Sequence, residues 1–319
     1  MDLRTKALET KKYLVDPYQD WLERESVPVV NSRMINLFEL TLAPWARFGM
    51  DGAACHVEGR CDYLTTFVFE LKSGQSSAPA RNVHETCTYV LSGSGKSVFT
   101  LSDGRSINVE WAAGEAFSAP VNASCIHTAD ASAPARIVSF TDLRYLMGLY
   151  RNEAFLFENA APMTRRQNES VAAGLSAPVL KMELVRNRGS LALAAGSIGC
   201  DITELAPHSA DPAARQMQGA HLLCLSGSGF SLSFDSETSP LTRVDWAPGV
   251  LIGLPSMSFH QHFNVGDSPA RFMKVELGSL TSPIFRSRRS AYGDETVYAS
   301  GSATISREDE RSDVAALRS

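Results

Sequence analysis

The sequence predicts an all-β fold made of two copies of one domain. Residues 89–95 match residues 223–229 at an offset of 134, and residues 109–114 match residues 244–249 at an offset of 135. Within each copy, short runs rich in Val, Leu, Phe and Thr are separated by turn sequences such as Ser-Gly-Ser-Gly and Ala-Pro-Gly. Short strands with such turns are typical of sandwiches and barrels, not of alternating strand and helix units.

The duplication continues beyond these matches. Pro120 corresponds to Pro255 and His127 to His262, again at an offset of 135, and the one-residue change in offset is what a lengthened hairpin would produce. A repeat of this length indicates a duplicated domain. We therefore predict five segments: an N-terminal arm at 1–55, a first β-domain at 56–140, a helical connector and linker at 141–185, a second β-domain at 186–282, and a polar tail at 283–319.

Two helical segments are expected outside the β-domains. Leu14, Tyr18, Trp21 and Leu22 recur at helical spacing in the arm. Apolar residues with the same periodicity follow the first domain over about 141–160, before a polar linker. The arm is expected to pack on the main body.

Composition excludes several classes of partner. The chain has 319 residues and a net charge of -5, and its 30 Lys and Arg residues are dispersed, so a nucleic-acid partner is not expected. No 18 consecutive apolar residues and no N-terminal signal segment are found, which predicts a cytoplasmic protein without a membrane partner. The six cysteines are isolated in sequence, and we expect buried free thiols, not disulfides.

One segment carries a recognisable motif. Gly249, Pro255, His260 and Asn264 keep the spacing of the second conserved motif of cupin domains. Together with the duplicated Leu-Ser-Gly-Ser-Gly and Trp-Ala-x-Gly turns, this makes each copy resemble a cupin, so the whole chain resembles a bicupin. The resemblance implies two tandem double-stranded β-helices, which are jelly-roll barrels, with an N-terminal helical arm and a short helical connector.

The amino-acid sequences of four segments resemble one branch of that superfamily. Residues 16–18, 44–47, 89–93 and 259–264 are similar to bacterial bicupins loosely related to ring-cleaving dioxygenases such as those acting on gentisate. This resemblance implies descent from metal-dependent oxygenases, and homodimers are common among such proteins. Cupins of this kind hold one divalent Fe, Mn, Ni or Zn ion on histidines and a carboxylate.

Most of the ligand set that the resemblance implies is missing from the second copy. Aligned on the cupin motif, the two metal histidines fall at Ala214 and Gln216, and the carboxylate falls at Ala220. His260 stands at the fourth ligand position. A metal site in this barrel therefore needs other ligands.

Three histidines of the second copy are the candidate catalytic residues. His221 is next to the carboxylate position, and His262 lies two residues after His260, on the same face of a strand. The three could hold a metal, with Gln216 as a substrate ligand or weak oxygen donor. Alternatively, His260 or His262 acts as acid or base without metal, because an imidazole titrates near neutral pH. They could also be ordinary hydrogen-bonded residues of a barrel.

The first copy offers candidate substrate-binding residues. The positions that hold metal ligands in the family are here Ala80, Asn82, Thr86 and Cys125. His84 and Glu85 are adjacent, so a strand would point them to opposite faces unless a bulge intervenes. His127 matches His262, and Arg81 is a candidate for binding a substrate carboxylate.

From these observations we expect a homodimeric bicupin enzyme of oxygenase ancestry that transforms a small organic substrate in a barrel pocket, with aromatic compounds and carboxylates as candidates. The second barrel is the favoured location. No nucleotide cofactor is expected. Two alternatives stay open: a metal-free isomerase, cyclase or lyase of a biosynthetic pathway, and a binder of a small ligand that performs no catalysis.

Overall fold

The computed structural model describes residues 16–57, 63–158, 197–215, 219–234, 239–256 and 258–277, together with the backbone of residues 188–191. Gln216, Cys61, the predicted polar linker and the predicted C-terminal tail lie outside these residues. Statements about the structure refer to the described part of the chain.

Three helices and 22 strands form in the described residues. The helices are α1 (Pro17–Glu25), α2 (Leu143–Tyr150) and α3 (Glu153–Phe157). The strands up to α2 are β1 (Val29–Ser32), β2 (Met34–Asn36), β3 (Ala43–Trp45), β4 (Met50–Val57), β5 (Thr65–Leu71), β6 (Ala80–Arg81), β7 (Thr86–Ser92), β8 (Ser94–Thr100), β9 (Ser106–Ala112), β10 (Ala116–Ser118), β11 (Ser124–Ala129) and β12 (Ala135–Thr141). The later strands are β13 (Arg188–Leu191), β14 (Ile198–Leu205), β15 (Ser209–Ala210), β16 (Ala214–Arg215), β17 (Ala220–Ser226), β18 (Gly229–Phe234), β19 (Thr242–Trp246), β20 (Val250–Leu254), β21 (Phe259–Asn264) and β22 (Ala270–Leu277).

These elements group into two compact units. The first falls within the ranges Met1–Val30, Thr41–His56 and Tyr63–Leu180, and the second within Asn31–Leu40, Val57–Asp62 and Lys181–Ser319. Part of the segment predicted as an arm thus groups with the second unit, where β2 pairs with β20. The remaining domain boundaries stay predictions.

The first unit is a barrel of two packed antiparallel sheets. Its seven-stranded sheet, as far as the described residues show it, has the order β1-β4-β5-β12-β7-β10, with β3 also paired to β4. Its four-stranded sheet has the order β6-β11-β8-β9. Buried side chains of both sheets, among them Phe67 and Ile137 of the larger and Phe99 and Trp111 of the smaller, meet in one hydrophobic core.

The second unit repeats this plan. In the described residues its larger sheet has the order β13-β14-β22-β17-β20-β2, and its smaller sheet the order β15-β21-β18-β19 with β16 also on β21. Leu222 and Phe272 of the larger sheet share a core with Trp246 of the smaller one. The predicted all-β fold with two tandem jelly-roll barrels is therefore confirmed.

Both predicted helical segments are present. Helix α1 begins after Asp16, whose side chain accepts a hydrogen bond from the Tyr18 N–H, a favourable N-cap. Its buried face carries Tyr18, Trp21 and Leu22, as the spacing predicted. Helices α2 and α3 follow the first barrel, in the segment predicted to connect the two copies.

The duplicated Ser-Gly-Ser-Gly sequence forms the same hairpin turn twice. Gly93 lies between β7 and β8 with a φ of +79°, and Gly227 lies between β17 and β18 with a φ of +83°. A Cβ on Gly93 would come within 2.7 Å of the Ala135 Cα, and one on Gly227 within 2.6 Å of the Ala270 Cα. Both the left-handed backbone and the close approach require glycine.

The structure also shows the state of the cysteines and the length of the helices. Cys55, Cys87, Cys125, Cys200 and Cys224 are free and buried, which confirms the expected buried thiols for the cysteines that the structure describes. None of the described helices is long and apolar enough to cross a membrane.

Candidate functional site

A cavity lies inside the first barrel, between its two sheets. One side of it is apolar and consists of Phe48, Met50, Phe67 and Phe69. The remaining wall is largely polar, and its side chains come from the four-stranded sheet and from the strands opposite. Such a mixture of apolar surface with a few polar groups is typical of small-molecule sites.

Strand geometry explains which polar side chains reach the cavity. They are Cys125 and His127 of β11, Thr86 and Thr88 of β7, and Ser139 and Thr141 of β12. In each strand the two residues are two positions apart and therefore share a face. Thr88 lies opposite Ser139 in the pairing of β7 with β12, and their hydroxyl oxygens are 3.1 Å apart.

A chain of hydrogen bonds fixes the imidazole of His127. The Trp111 Nε1–H donates to the Ser97 Oγ at 2.8 Å, and the same oxygen lies 2.7 Å from the His127 Nδ1. The other ring nitrogen, Nε2, is 3.3 Å from the Cys125 Sγ. His127 is held at its backbone as well, because its N–H donates to the Ser77 Oγ at 2.9 Å.

Burial keeps the ionisable groups of the cavity uncharged near neutral pH. It lowers the pKa of His127 to about 4 and that of His84 to about 3, and it raises the pKa of the Cys125 thiol. The physical cause is that a charged group loses its hydration inside the barrel. At neutral pH the cavity therefore contains two neutral imidazoles and a protonated thiol.

Three buried polar atoms in the cavity wall have no hydrogen-bond partner. They are the Asn82 Oδ1, the His84 Nδ1 and the Thr86 Oγ1, and all three residues line the cavity. His84 is only 6% exposed. Buried polar groups are nearly always paired, since leaving one unpaired costs about 1–3 kcal/mol. A bound molecule with matching polar groups would satisfy these atoms.

The walls of the cavity carry no formal charge. None of the described residues that line it is Asp, Glu, Lys or Arg. Arg81 instead donates to the Asn122 carbonyl oxygen at 3.1 Å, and Glu85 is buried outside the cavity. Of the residues predicted to bind substrate, His84 and His127 line the cavity, while Arg81 and Glu85 do not. His84 and Glu85 thus differ in whether they line the cavity, and both lie between β6 and β7, so the alternation of strand side chains is not the cause.

The second barrel contains a related arrangement on β21. The His262 Nδ1 lies 2.7 Å from the Ser231 Oγ, which accepts a hydrogen bond from the Trp246 Nε1–H at 3.0 Å. The ring centroids of His260 and His262 are 5.4 Å apart, and the His260 Nδ1 is buried without a hydrogen-bond partner. Burial lowers the pKa of both imidazoles to about 4, and the nearby positive charge of Lys274 acts in the same direction.

His221 is not gathered with these two histidines. It lies on β17 between Ala220 and Leu222, which both face the core of the second barrel, so its own side chain faces the other side of the sheet. His262 faces that core, because its ring centroid is 5.7 Å from that of Phe272. Among the described residues no group of three or more His, Cys, Asp or Glu side chains could hold a metal ion. The described residues therefore do not bring His221, His260 and His262 together as the expected metal site.

Three residues of the first-barrel site, Ser97, Trp111 and Cys125, were given no functional role from the sequence, although Cys125 was noted at a position that holds a metal ligand in the family. A signal for two of them was present in the repeat. Ser97 matches Ser231 at the offset of 134, and Trp111 matches Trp246 at the offset of 135. Both pairs recur together with the matched histidines, so a shared hydrogen-bonded chain could have been sought.

No family model matches the sequence, and no curated protein matches it. Solved structures do match in fold. A point mutant of Bacillus subtilis oxalate decarboxylase has a TM-score of 0.54 at 11% identity, covering 88% of this chain and 86% of that chain. Lactobacillus farciminis oxalate decarboxylase in a formate complex has a TM-score of 0.54 at 13% identity, covering 88% and 96%. The 7S globulin of Momordica charantia has a TM-score of 0.52 at 11% identity, covering 78% and 85%.

These likenesses show the fold. The chain is similar over most of its length to proteins with two tandem cupin barrels, which confirms the predicted bicupin architecture. At identities of 11–13% they carry no residue roles over to this chain. The function must be argued from the site itself.

Proposed function

We propose that this protein is a cupin-fold enzyme that binds a small, uncharged organic molecule in the cavity of the first barrel and acts on it by proton transfer. The observation that carries this proposal is the cluster of three unpartnered polar atoms at Asn82, His84 and Thr86, which line one cavity. Buried polar atoms are usually paired. Single unpaired atoms such as the Trp21 Nε1 and the Thr65 Oγ1 also occur away from this cavity, so it is the clustering of three around one cavity that favours a ligand.

His127 is the residue best suited to move a proton. Its imidazole is neutral near pH 7 because burial lowers its pKa to about 4, so one ring nitrogen is unprotonated and can act as a weak base. The Ser97 hydroxyl holds Nδ1 and thereby fixes the direction of Nε2, which is a requirement for a general base. His84 has a free Nδ1 in the same cavity and would bind a polar group of the substrate.

The uncharged walls favour an uncharged substrate. Moving a carboxylate into an apolar site without a cationic partner is strongly unfavourable. Oxalate, the substrate named for two of the structural neighbours, would therefore find no counter-charge among the described lining residues. Because the described lining residues carry no charge, we expect an alcohol, phenol, amide or carbonyl compound as the substrate instead of a carboxylate. The apolar side formed by four residues suits a hydrocarbon group.

A thermal-shift titration with matched probes tests this proposal. Benzyl alcohol and benzaldehyde should raise the melting temperature, while benzoate, which has a similar shape and one negative charge, should not. A ligand at about 100 times its Kd stabilises a protein by about 2.7 kcal/mol. The proposal fails if benzoate binds as well as the uncharged probes, or if none of them shifts the transition.

A matched pair of substitutions locates the binding. Thr86→Val keeps the side-chain shape and removes the unpartnered hydroxyl, so it should weaken binding of benzyl alcohol by about tenfold. Thr65→Val makes the same change at a buried position of β5 that does not line the cavity, and binding should be unchanged. Equal effects of the two substitutions would place the ligand elsewhere.

The alternative of a binder without catalysis makes a separate prediction. A binder would be stabilised by its ligand and return it unchanged, whereas an enzyme would convert it. Incubating the best thermal-shift ligand with the protein, followed by chromatography of the small molecules, distinguishes the two. The cavity geometry is compatible with both, and the fixed His127 is the specific observation that favours catalysis.

A metal-dependent oxygenase activity, with ancestry shared with the gentisate-type branch, is the second candidate. It would belong to the second barrel, where the unpartnered His260 Nδ1 lies beside His262. Plasma mass spectrometry on protein purified without chelator tests it. Close to one equivalent of Fe, Mn, Ni or Zn, lost in His260→Ala, would support this candidate, and retention of the metal in that variant would contradict it.

A further inference from the structure

We propose that Cys125 is a nucleophile, with His127 as its general base and Ser97 as the positioning residue, and that it forms a reversible covalent adduct with a small aldehyde or enone. This inference rests on the proposed function only in requiring that the first-barrel cavity admits an uncharged molecule. It adds the chemical class of the substrate and the atom that attacks it.

The structure brings a thiol, an imidazole and a hydroxyl together at one wall of the cavity. The Cys125 Sγ is 3.3 Å from the His127 Nε2 and 3.8 Å from its Nδ1, and the Ser97 Oγ is 2.7 Å from the same Nδ1. An activated nucleophile needs a base within hydrogen-bond reach and a third group that orients the base. Because Cys125 and His127 are two residues apart on β11, both side chains face the cavity.

Base catalysis by His127 requires the tautomer that carries its proton on Nδ1. In that tautomer the Ser97 oxygen accepts both the Trp111 Nε1–H and the His127 Nδ1–H. Nε2 then carries no proton and is the ring nitrogen nearer to the thiol. Burial keeps the thiol protonated at rest, so attack and proton transfer to Nε2 must occur together.

The second barrel shows that this chemistry is particular to the first. There the same chain of tryptophan, serine and histidine ends beside His260, which occupies the place of Cys125. The hydrogen-bonded chain is thus common to both copies, and the thiol is not. Cys87 is a further contrast, because it is fully buried on β7 and does not line the cavity.

The unpartnered atoms of the cavity supply an independent sign of a ligand. The His84 Nδ1 is buried and unsatisfied in the same cavity as the thiol, and so is the Thr86 Oγ1. The Thr86 hydroxyl is able to donate to a carbonyl oxygen, and the neutral His84 Nδ1 can donate or accept according to its tautomer. A carbonyl compound would therefore satisfy these groups and present its carbon to a nucleophile.

The proposed step balances without a further reactant. With an aldehyde, the sulfur lone pair forms an S–C bond, the C=O π bond opens, and the thiol proton passes through the His127 Nε2 to the carbonyl oxygen, giving a hemithioacetal. With an enone, sulfur bonds to the β-carbon and the same proton is delivered to the α-carbon. No atom is oxidised or reduced overall, and the reverse reaction restores the thiol.

Methyl vinyl ketone, a small uncharged enone, is the probe. The unsubstituted protein is treated with a small molar excess of this enone at about pH 7 and examined by intact-mass spectrometry and peptide mapping. Among the five cysteines that the structure describes, we expect an adduct at Cys125 alone. It should form equally in Cys87→Ser and be lost in Cys125→Ser. Absence of an adduct, or an equally fast adduct at Cys87, would overturn the proposal.

The pH dependence distinguishes a base-assisted thiol from one that is merely accessible. An unassisted buried thiol reacts only as thiolate, so its rate rises about tenfold per pH unit below its pKa. With neutral His127 as base, the rate should be nearly flat from about pH 6 to about pH 8. Ser97→Ala and His127→Gln should each slow the reaction at least tenfold at about pH 7, while melting curves confirm that both variants fold. In His127→Gln the reaction rate should again rise about tenfold per pH unit. A tenfold rise per unit in the unchanged protein would remove His127 from the role of base.

Competition separates this inference from the proposed function. Benzyl alcohol should slow the modification of Cys125 if both occupy the cavity. Thermal stabilisation by benzyl alcohol without any adduct at Cys125 would leave the proposed function standing and refute the nucleophile. In the opposite case, Cys125 is modified, but benzyl alcohol neither slows the modification nor raises the melting temperature. That result would support the nucleophile and refute the proposed ligand class.

Discussion

The Ser97 Oγ lies 2.7 Å from the His127 Nδ1, and the Ser231 Oγ lies at the same distance from the His262 Nδ1. In each barrel the serine also accepts a hydrogen bond from a buried tryptophan indole. The two copies of the domain have therefore kept the same buried polar chain. They differ in the residue beside the imidazole, and that difference gives the first barrel a thiol.

Removing the serine should destabilise the first barrel. Ser97→Ala leaves the Trp111 Nε1–H and the His127 Nδ1 without their common partner, and each unpaired buried group costs about 1–3 kcal/mol. The free energy of unfolding, measured by urea denaturation, should fall by about 1–3 kcal/mol or more. Ser106→Ala, at the exposed start of β9, is the control and should change it by less than about 0.5 kcal/mol. A similar loss in both variants would show that the hydrogen-bonded chain contributes nothing particular.

Gly95 should tolerate no side chain. A Cβ at this position would lie 2.7 Å from the Trp111 Cζ2 and would also collide with the Thr128 carbonyl oxygen. Gly95→Ala is therefore expected to cost about 1–3 kcal/mol or more, as overpacking does. Gly148→Ala is the opposite case, because it lies in α2 with no atom within 4 Å of the new Cβ, and should stabilise by about 0.5–1 kcal/mol. Melting temperatures that move in the same direction would contradict this contrast.

Acid should destabilise the protein through its buried histidines. Burial lowers the pKa of His84 to about 3 and that of His127, His260 and His262 to about 4, whereas the unfolded value is about 6.5. Below about pH 6.5 the unfolded chain binds protons that the folded chain does not, so stability present above that pH is lost as pH falls toward 4. Each such histidine can contribute up to about 1.4 kcal/mol per pH unit.

Urea midpoints at several pH values between about 7 and 4 measure this effect. His84→Gln should reduce the slope of the unfolding free energy against pH by up to about 1.4 kcal/mol per pH unit, the contribution of one histidine. Ser106→Ala, at an exposed position, removes no ionisable group, so it is the control and should leave the slope unchanged. A slope that His84→Gln does not alter would contradict neutral burial of this imidazole.

The association state is a further prediction, based on the resemblance to bicupins. We expect a homodimer, because duplicated barrels of this kind commonly associate. Sedimentation equilibrium at micromolar concentration should give about twice the chain mass of 34.6 kDa. A mass close to that of one chain would contradict the expectation.

The sequence alone determined the fold because the decisive signals are local and repeated. Gly93 and Gly227 could be recognised as turn residues from the duplicated Ser-Gly-Ser-Gly sequence, and both adopt positive φ. The alternation of strand side chains placed His260 and His262 on one face, and their ring centroids are 5.4 Å apart. The same rule was applied to His84 and Glu85, but these two residues lie between β6 and β7 and not on a strand. The helical spacing of Tyr18, Trp21 and Leu22 likewise identified α1.

Only the tertiary structure decided which barrel contains the candidate site. The sequence favoured the second barrel because His221, His260 and His262 are concentrated there, yet His221 faces away from the other two across a sheet. Space inside a barrel and the pairing of polar atoms depend on side chains brought together from distant strands. No local pattern could show that Asn82, His84 and Thr86 would be left without hydrogen-bond partners around one cavity, or that Cys125 would meet a fixed imidazole there. Local periodicity sets the face on which a residue lies, and long-range packing sets what that face contains.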